Sequence, residues 1–245
     1  MGKFFGIIHI VFLYMAYMIM KEIIISPPFS NILPNSKHYT RIIGTYTLKR
    51  RRGLWRVFST LRKVKNGWSN NVGLRNPGIG KVPNKEVIVS IAELYPGDFD
   101  KILDILSKKD RILGVEFNIS CPNADVRKLN QAIVEKAKSL FSIVIVKVPH
   151  KYDKFDELIS MDVEYIHVSN SYMGISGKML YLENLLKVKD LRAKHKDLKI
   201  IGGGGVYSVV DFYQYKLAGA NYVSLSTLLL HPIKLIKFIK GYFKW

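Results

Sequence analysis

The chain has 245 residues, 48% of them apolar, and a formal charge of +19. That length fits one α/β barrel and the apolar share is enough for a core, while a single cysteine excludes an internal disulfide. The charge leaves three readings open, namely a nucleic-acid partner, an anionic membrane surface, or ordinary lysine-rich faces in solvent; six scattered histidines offer no zinc-ligand spacing.

Residues 4–20 lie between Lys3 and Lys21 and carry no formal charge apart from what His9 can acquire. As a helix this stretch is about 26 Å long, near the short limit for crossing a bilayer. No small-residue cleavage site marks it as a removed signal. It reads either as a membrane anchor or as a helix packed on the domain. The chain accordingly divides into an apolar segment over 1–21 and a barrel over 22–245.

From Lys21 onward, eight β-branched runs alternate with amphipathic stretches, at about 22–27, 42–48, 86–91, 114–120, 143–149, 164–170, 199–203 and 222–227. This pattern predicts an α/β fold, a closed (β/α)8 TIM barrel. Helical periodicity puts Phe99, Ile102, Leu103 and Leu106 on one face, then Ala132, Val134 and Ala137, then Leu182, Leu185, Leu186 and Leu191. The first two strands are joined by a short link containing Pro27, Pro28 and Pro34, and the stretch from Pro77 to Val87 has no room for a normal helix. Two outer helices are therefore expected to be missing or short. The apolar amino-terminal segment is a candidate to cover that flank.

Lys49, Arg50, Arg51, Arg52, Arg56, Arg62, Lys63 and Lys65 crowd a stretch that also holds Trp55, Phe58 and Trp68. Basic residues interleaved with aromatics suit single-stranded nucleic acid. They suit a solvated loop over an active site equally well.

Residues 115–123, Val-Glu-Phe-Asn-Ile-Ser-Cys-Pro-Asn, form an alternating strand that delivers Cys121 into a turn flanked by Asn118 and Asn123. A thiolate can act as a general base, and the two amides can orient a polar substrate. A lone cysteine is otherwise most often a small buried hydrophobe. Farther on, residues 200–206 put four glycines at a strand end just before a helix that starts near Ser208. Bare backbone amides and a helix amino terminus there can hold a phosphate, with Ser226 and Thr227 completing the cradle from the eighth strand. The last helix sets Lys234, Lys237, Lys240 and Lys244 on one face and Leu235, Ile236, Phe238, Ile239 and Tyr242 on the other. That pattern suits the eighth barrel helix and also a membrane surface.

These residues resemble the dihydroorotate dehydrogenases, flavin mononucleotide (FMN) enzymes of pyrimidine synthesis. The resemblance runs from about Ile25 to His231 and rests on ordered motifs: Gly44-Thr45-Tyr46-Thr47-Leu48, then Asn70-Asn71-Val72-Gly73-Leu74-Arg75-Asn76-Pro77-Gly78, then Asn118-Ile119-Ser120-Cys121-Pro122-Asn123. Val146-Lys147-Val148-Pro149, Val168-Ser169-Asn170-Ser171, Gly174-Ile175-Ser176-Gly177 and the glycine run follow. It implies that Cys121 removes a proton from C5 of dihydroorotate while hydride passes from C6 to the flavin N5, giving orotate on the route to UMP. It also implies that Asn70, Asn118, Asn123 and Asn170 bind the substrate with help from Ser171, and that Asn118 also contacts the flavin. Lys147 would lie at the flavin N1 and O2 edge, and Ser176, Gly177, Gly204, Gly205, Ser226 and Thr227 would hold its phosphate.

Some positions depart from the family pattern. The soluble classes carry a lysine where Gly44 stands, and the membrane-bound class supplies one from the first strand, where this chain has Ser26-Pro27-Pro28-Phe29-Ser30-Asn31. Lys49 is one candidate substitute. Ser90 stands where a flavin-contacting asparagine is common. The cysteine base resembles the soluble classes, whereas the apolar amino terminus and compact late units resemble the quinone-using class. The electron acceptor is thus open among fumarate, quinone and NAD reached through a partner subunit. A homodimer and either a cytoplasmic or a membrane-associated site are open in the same way. Two other readings stand beside this one. The tRNA dihydrouridine synthases also use an Asn-x-x-Cys-Pro turn, and the basic charge would then serve RNA; their separate helical RNA-binding domain is not expected here, which disfavours nucleic acid. The third reading is a degenerate barrel that binds membrane or RNA.

Overall fold

The computed structural model describes residues 20–244 apart from 54–58, 66, 70, 72, 121–128, 150, 170 and 173. In chain order its strands are β1 (Ile23–Ile25), β2 (Tyr39–Tyr46), β3 (Arg62–Val64), β4 (Gly67–Ser69), β5 (Val87–Ile91) and β6 (Ile112–Asn118). They continue with β7 (Ile143–Lys147), β8 (Tyr165–Val168), β9 (Ile175–Ser176), β10 (Lys199–Gly203) and β11 (Tyr222–Leu225). The α-helices are α1 (Asp98–Leu106), α2 (Gln131–Leu140), α3 (Phe155–Ser160), α4 (Tyr181–Lys194), α5 (Val209–Leu217) and α6 (Pro232–Tyr242).

Eight parallel strands close into a barrel in the order β1-β11-β10-β8-β7-β6-β5-β2, with β1 pairing β2. All eight overlap the predicted runs. Between β1 and β2 the described chain makes only a 3-10 turn, Phe29–Asn31, and a second such turn, Ile79–Lys81, precedes β5. The two thin flanks expected from the prolines are there. The sequence pattern did not anticipate a small antiparallel sheet, β3-β4-β9, in which Trp68 registers with Ser176. β3 and β4 are neighbours in the chain, but β9 joins them from a distant part of it, so no local period announces the sheet.

Strand alternation divides the core into two shells. Val144 and Val146 join the outer shell under the helices, whereas Ile143 and Ile145 point into the barrel with Ile24, Ile42, Ile88, Tyr165, Ile201 and Tyr222. Met20 is buried in this inner cluster. One step nearer the carboxyl ends of the strands, the same interior parity gives Ser26, Ser90, Glu116, Lys147, His167 and Ser224. The barrel is greasy below and polar above, and the polar end is where barrel enzymes do chemistry.

The helices confirm one predicted face and correct three. Phe99, Ile102, Leu103 and Leu106 are buried as read. On α2 the inward face is Ile133, Val134 and Ala137, leaving Ala132 outside. Leu182 and Leu186 on α4 are 63% and 56% exposed, while Asn184, Val188 and Leu191 turn inward. Asn184 carries the reason: its side-chain amide donates to the Gly203 carbonyl at 2.9 Å, which sets the rotation of the helix. On α6, Phe238 is buried with Leu235 and Tyr242 against the core, but Ile236 and Ile239 are exposed. No helix of the described residues is long and apolar enough to cross a membrane; residues 1–19, which hold nearly all of the candidate anchor, lie outside the described residues.

Candidate active site

Asn118 and Lys147 end β6 and β7 and stand in register, and Lys147 is in turn in register with His167 on β8. Asn118 is buried. Its Oδ1 accepts from the Ser120 backbone N–H at 3.1 Å and the Ser120 hydroxyl at 2.6 Å, and its Nδ2 donates to Thr45 Oγ1 at 2.7 Å. An asparagine side chain has two lone pairs and two N–H donors, so one donor remains for a ligand. The bonds to Ser120 fix the turn that leads to Cys121. Cys121 itself, with Asn70, Asn123 and Asn170, lies outside the described residues.

Thr45 continues the chain of contacts to Ser90, Oγ to Oγ at 3.0 Å. Ser90 is fully buried and bonds to Glu116. Glu116 Oε2 meets His167 Nδ1 at 2.6 Å, both side chains essentially without solvent contact. Burial opposes charge on Glu116, but His167, Lys147 and Ser90 together hold its carboxyl below the ordinary range. Burial likewise pushes the His167 imidazole down, against the pull of Glu116 and with Lys147 adding to the lowering. The arrangement is an ionised Glu116 accepting from a neutral His167.

Across the barrel mouth, β10 and β11 bring together the residues expected to hold a phosphate. The four-glycine run divides by role. Gly202 packs outward, where a Cβ would sit 2.7 Å from the Tyr215 ring, and Gly203 faces inward against Ser224 and Ser169. Gly204 and Gly205 form the turn with φ of +93° and +71°, a region that favours glycine. A Cβ on Gly205 would lie 2.8 Å from the Gly177 carbonyl, so the two glycine segments touch. Ser176 and Gly177 reach this point because β9 pairs with β4. Ser226 donates to the Pro27 carbonyl at 3.1 Å, and Thr227 opens the turn after β11. Ser171 is half-buried just before the Tyr172–Ile175 bridge. The bare backbone of the glycine turn suits a phosphate, whereas the Ser226 O–H and the amides at the start of α5 already have partners within the chain.

Residues with no motif of their own hold this cradle. The Tyr215 hydroxyl donates to the Gly203 and Gly204 carbonyls at 2.8 and 2.9 Å, and burial raises its pKa strongly. Asp211 accepts from the Tyr207 and Ser208 amides and, at 2.7 Å, from Lys178 beside Gly177. At Gly44 there is no space for a side chain: a Cβ would lie 2.5 Å from the Ser90 carbonyl and 2.9 Å from the Tyr46 ring. The backbone there is clamped by Asn31, which both donates to and accepts from Gly44.

The closed barrel with its glycine-lined, polar upper rim defines a (β/α)8-barrel enzyme. No protein-family model matches the chain. It is 26% identical over 226 residues to dihydroorotate dehydrogenase A (fumarate) of Lactiplantibacillus plantarum, covering 74% of each chain. To the catalytic subunit of dihydroorotate dehydrogenase B (NAD(+)) of Endomicrobium trichonymphae it is 25% identical, covering 86% of this chain and 81% of the relative. The solved structure of DHODH from Eimeria tenella in complex with ferulenol shares the fold with a TM-score of 0.67 at 15% identity, over 82% of this chain and 73% of that one. The chain is similar over most of its length to dihydroorotate dehydrogenases and is an oxidoreductase.

Proposed function

We propose that this chain oxidises (S)-dihydroorotate to orotate, the step that feeds UMP synthesis, with FMN as its flavin. What carries the reading is one spatial relation: Asn118 and Lys147 stand side by side at the ends of β6 and β7, on the same rim as the Gly177–Gly205 cradle. The cradle fits the phosphate of the flavin through Ser176, Gly177, Gly204, Gly205, Ser226 and Thr227. Bound there, the flavin would supply a two-electron acceptor for the hydride leaving C6.

Cys121 takes the C5 proton on its sulfur as the C5–C6 double bond forms. A free thiol near pKa 8.5 is only a few per cent thiolate at neutral pH, so the rate rises with pH unless the turn lowers that value. Asn70, Asn118, Asn123 and Asn170, with Ser171, hold the planar ring, since amides donate and accept without adding charge. Lys147 would present positive charge to the flavin's N1 and O2 edge, where it would stabilise the negative charge of the reduced ring. Fumarate and NAD(+) are the acceptors that the relatives' names carry.

The test is anaerobic spectroscopy. Purified protein is expected to be yellow and to bleach with dihydroorotate, and Cys121→Ser to slow the bleaching by orders of magnitude with flavin retained. Reoxidation is then followed with fumarate, NAD(+) and a quinone. Equal rates in mutant and wild type would remove Cys121 from its role. Colourless protein, or flavin reduced only by NADPH and reoxidised by tRNA, would overturn the reading.

A further inference from the structure

The buried Glu116–His167 pair has no role in the chemistry above. The same interior face one storey lower is filled by Ile and Tyr side chains. A buried carboxylate and imidazole cost several kcal/mol in desolvation, and well-packed apolar residues in place of such a pair are often neutral or stabilising. Retaining the pair calls for something charged nearby that it serves.

That group is Lys147. It lies in register with His167 on the neighbouring strand and shares its interior parity. His167 is flanked by β7 and β10. From β7 it faces Lys147, from β6 Glu116, and from β10 Ile201, which carries no titratable group. With Nδ1 donating to Glu116, His167 keeps Nε2 as a buried acceptor that has no partner among the described residues. An unfilled acceptor thus sits beside a residue with three N–H donors.

We propose that Glu116 and His167 are positioning residues for Lys147: the carboxylate, through the imidazole, balances and orients the ammonium that faces the flavin, and the pair thereby sets the flavin's reduction potential. The proposal rests on the reading that flavin binds this rim. Glu116 is the counter-charge of Lys147. Without it the ammonium acts uncompensated on the reduced ring, so reduction becomes easier. Lys147 lowers the titration of both buried partners.

Two measurements test it. In the flavin-loaded protein, Glu116→Gln is expected to favour the reduced flavin at least tenfold, about 30 mV upward for a two-electron couple. In a Lys147→Met background the same change is expected to lose most of its effect. An unchanged potential, or an equal effect with and without Lys147, overturns the proposal. In the apoprotein, nitrogen NMR of the wild type is expected to find His167 neutral with its proton on Nδ1, and Lys147→Met to raise the pH at which it titrates. Absence of that shift overturns the coupling even if Glu116→Gln does not fold. Protein that never retains flavin would defeat the functional reading alone, because the apoprotein measurement still decides whether the three residues act together.

Discussion

Trp68 donates its indole N–H to Nε2 of His231 across 3.1 Å, and the two rings pack edge to face. This bond pins the β3–β4 hairpin to the segment after β11, directly behind Ser226 and Thr227. A basic hairpin is thereby held against that segment and against β9. The bond needs an unprotonated Nε2. Burial, with Lys234 and Lys63 adding to it, lowers the His231 pKa, so the unfolded chain takes up this proton first. Stability is therefore expected to decline as pH falls from about 6.5 through the lowered native value, and then to level off. Trp68→Phe should cost about 1 kcal/mol and flatten that decline. Hydrogen exchange over 62–69, compared at pH 5 and 7.5, is the measurement.

Gly205→Ala is expected to weaken FMN binding at least tenfold. The new methyl meets the Gly177 carbonyl and Tyr181 at 2.8 Å, so the cradle must open. Gly97→Ala is the control: its φ of +82° imposes a similar backbone penalty, about 1–2 kcal/mol, but nothing lies within 4 Å of the added Cβ. Fluorescence titration of both apoproteins with FMN should separate them, with Gly97→Ala losing stability but keeping affinity.

Asp211→Ala should cost about 1–2 kcal/mol by removing the capping box of α5. It should also weaken FMN binding, because Asp211 ties Lys178, next to Gly177, to the start of α5. Ser208→Ala removes only the cap and should leave affinity nearer to wild type. Thermal melts and FMN titrations on the two variants check both halves.

Arg192→Lys should be costly despite its conserved charge. The guanidinium donates to the carbonyls of Gly219, His195, Lys196 and Leu198 and to Asn221 Oδ1, and an ammonium cannot cover five acceptors from one place. The expected loss is about 1.5–3 kcal/mol. These contacts lie at the amino-terminal ends of β10 and β11, so FMN affinity should not change. Chemical denaturation beside FMN titration tests the pair of statements.

The eight barrel strands were legible in the residues, because β-branched runs alternating with amphipathic stretches leave few other folds. The glycines and Ser208 announced the cradle for a local reason too, since positive φ and helix capping are demands that neighbouring residues impose on each other. Tertiary contact decided the rest. Leu182 and Leu186 offered a better apolar stripe than Asn184, yet Asn184 turned inward because the Gly203 carbonyl, nineteen positions away, needed a donor. Trp68 and His231, 163 positions apart, and Glu116 and His167, 51 apart, carry no mark of each other along the chain. Periodicity registers the solvent a side chain avoids, whereas a buried hydrogen bond depends on a partner that only the closed barrel brings within reach.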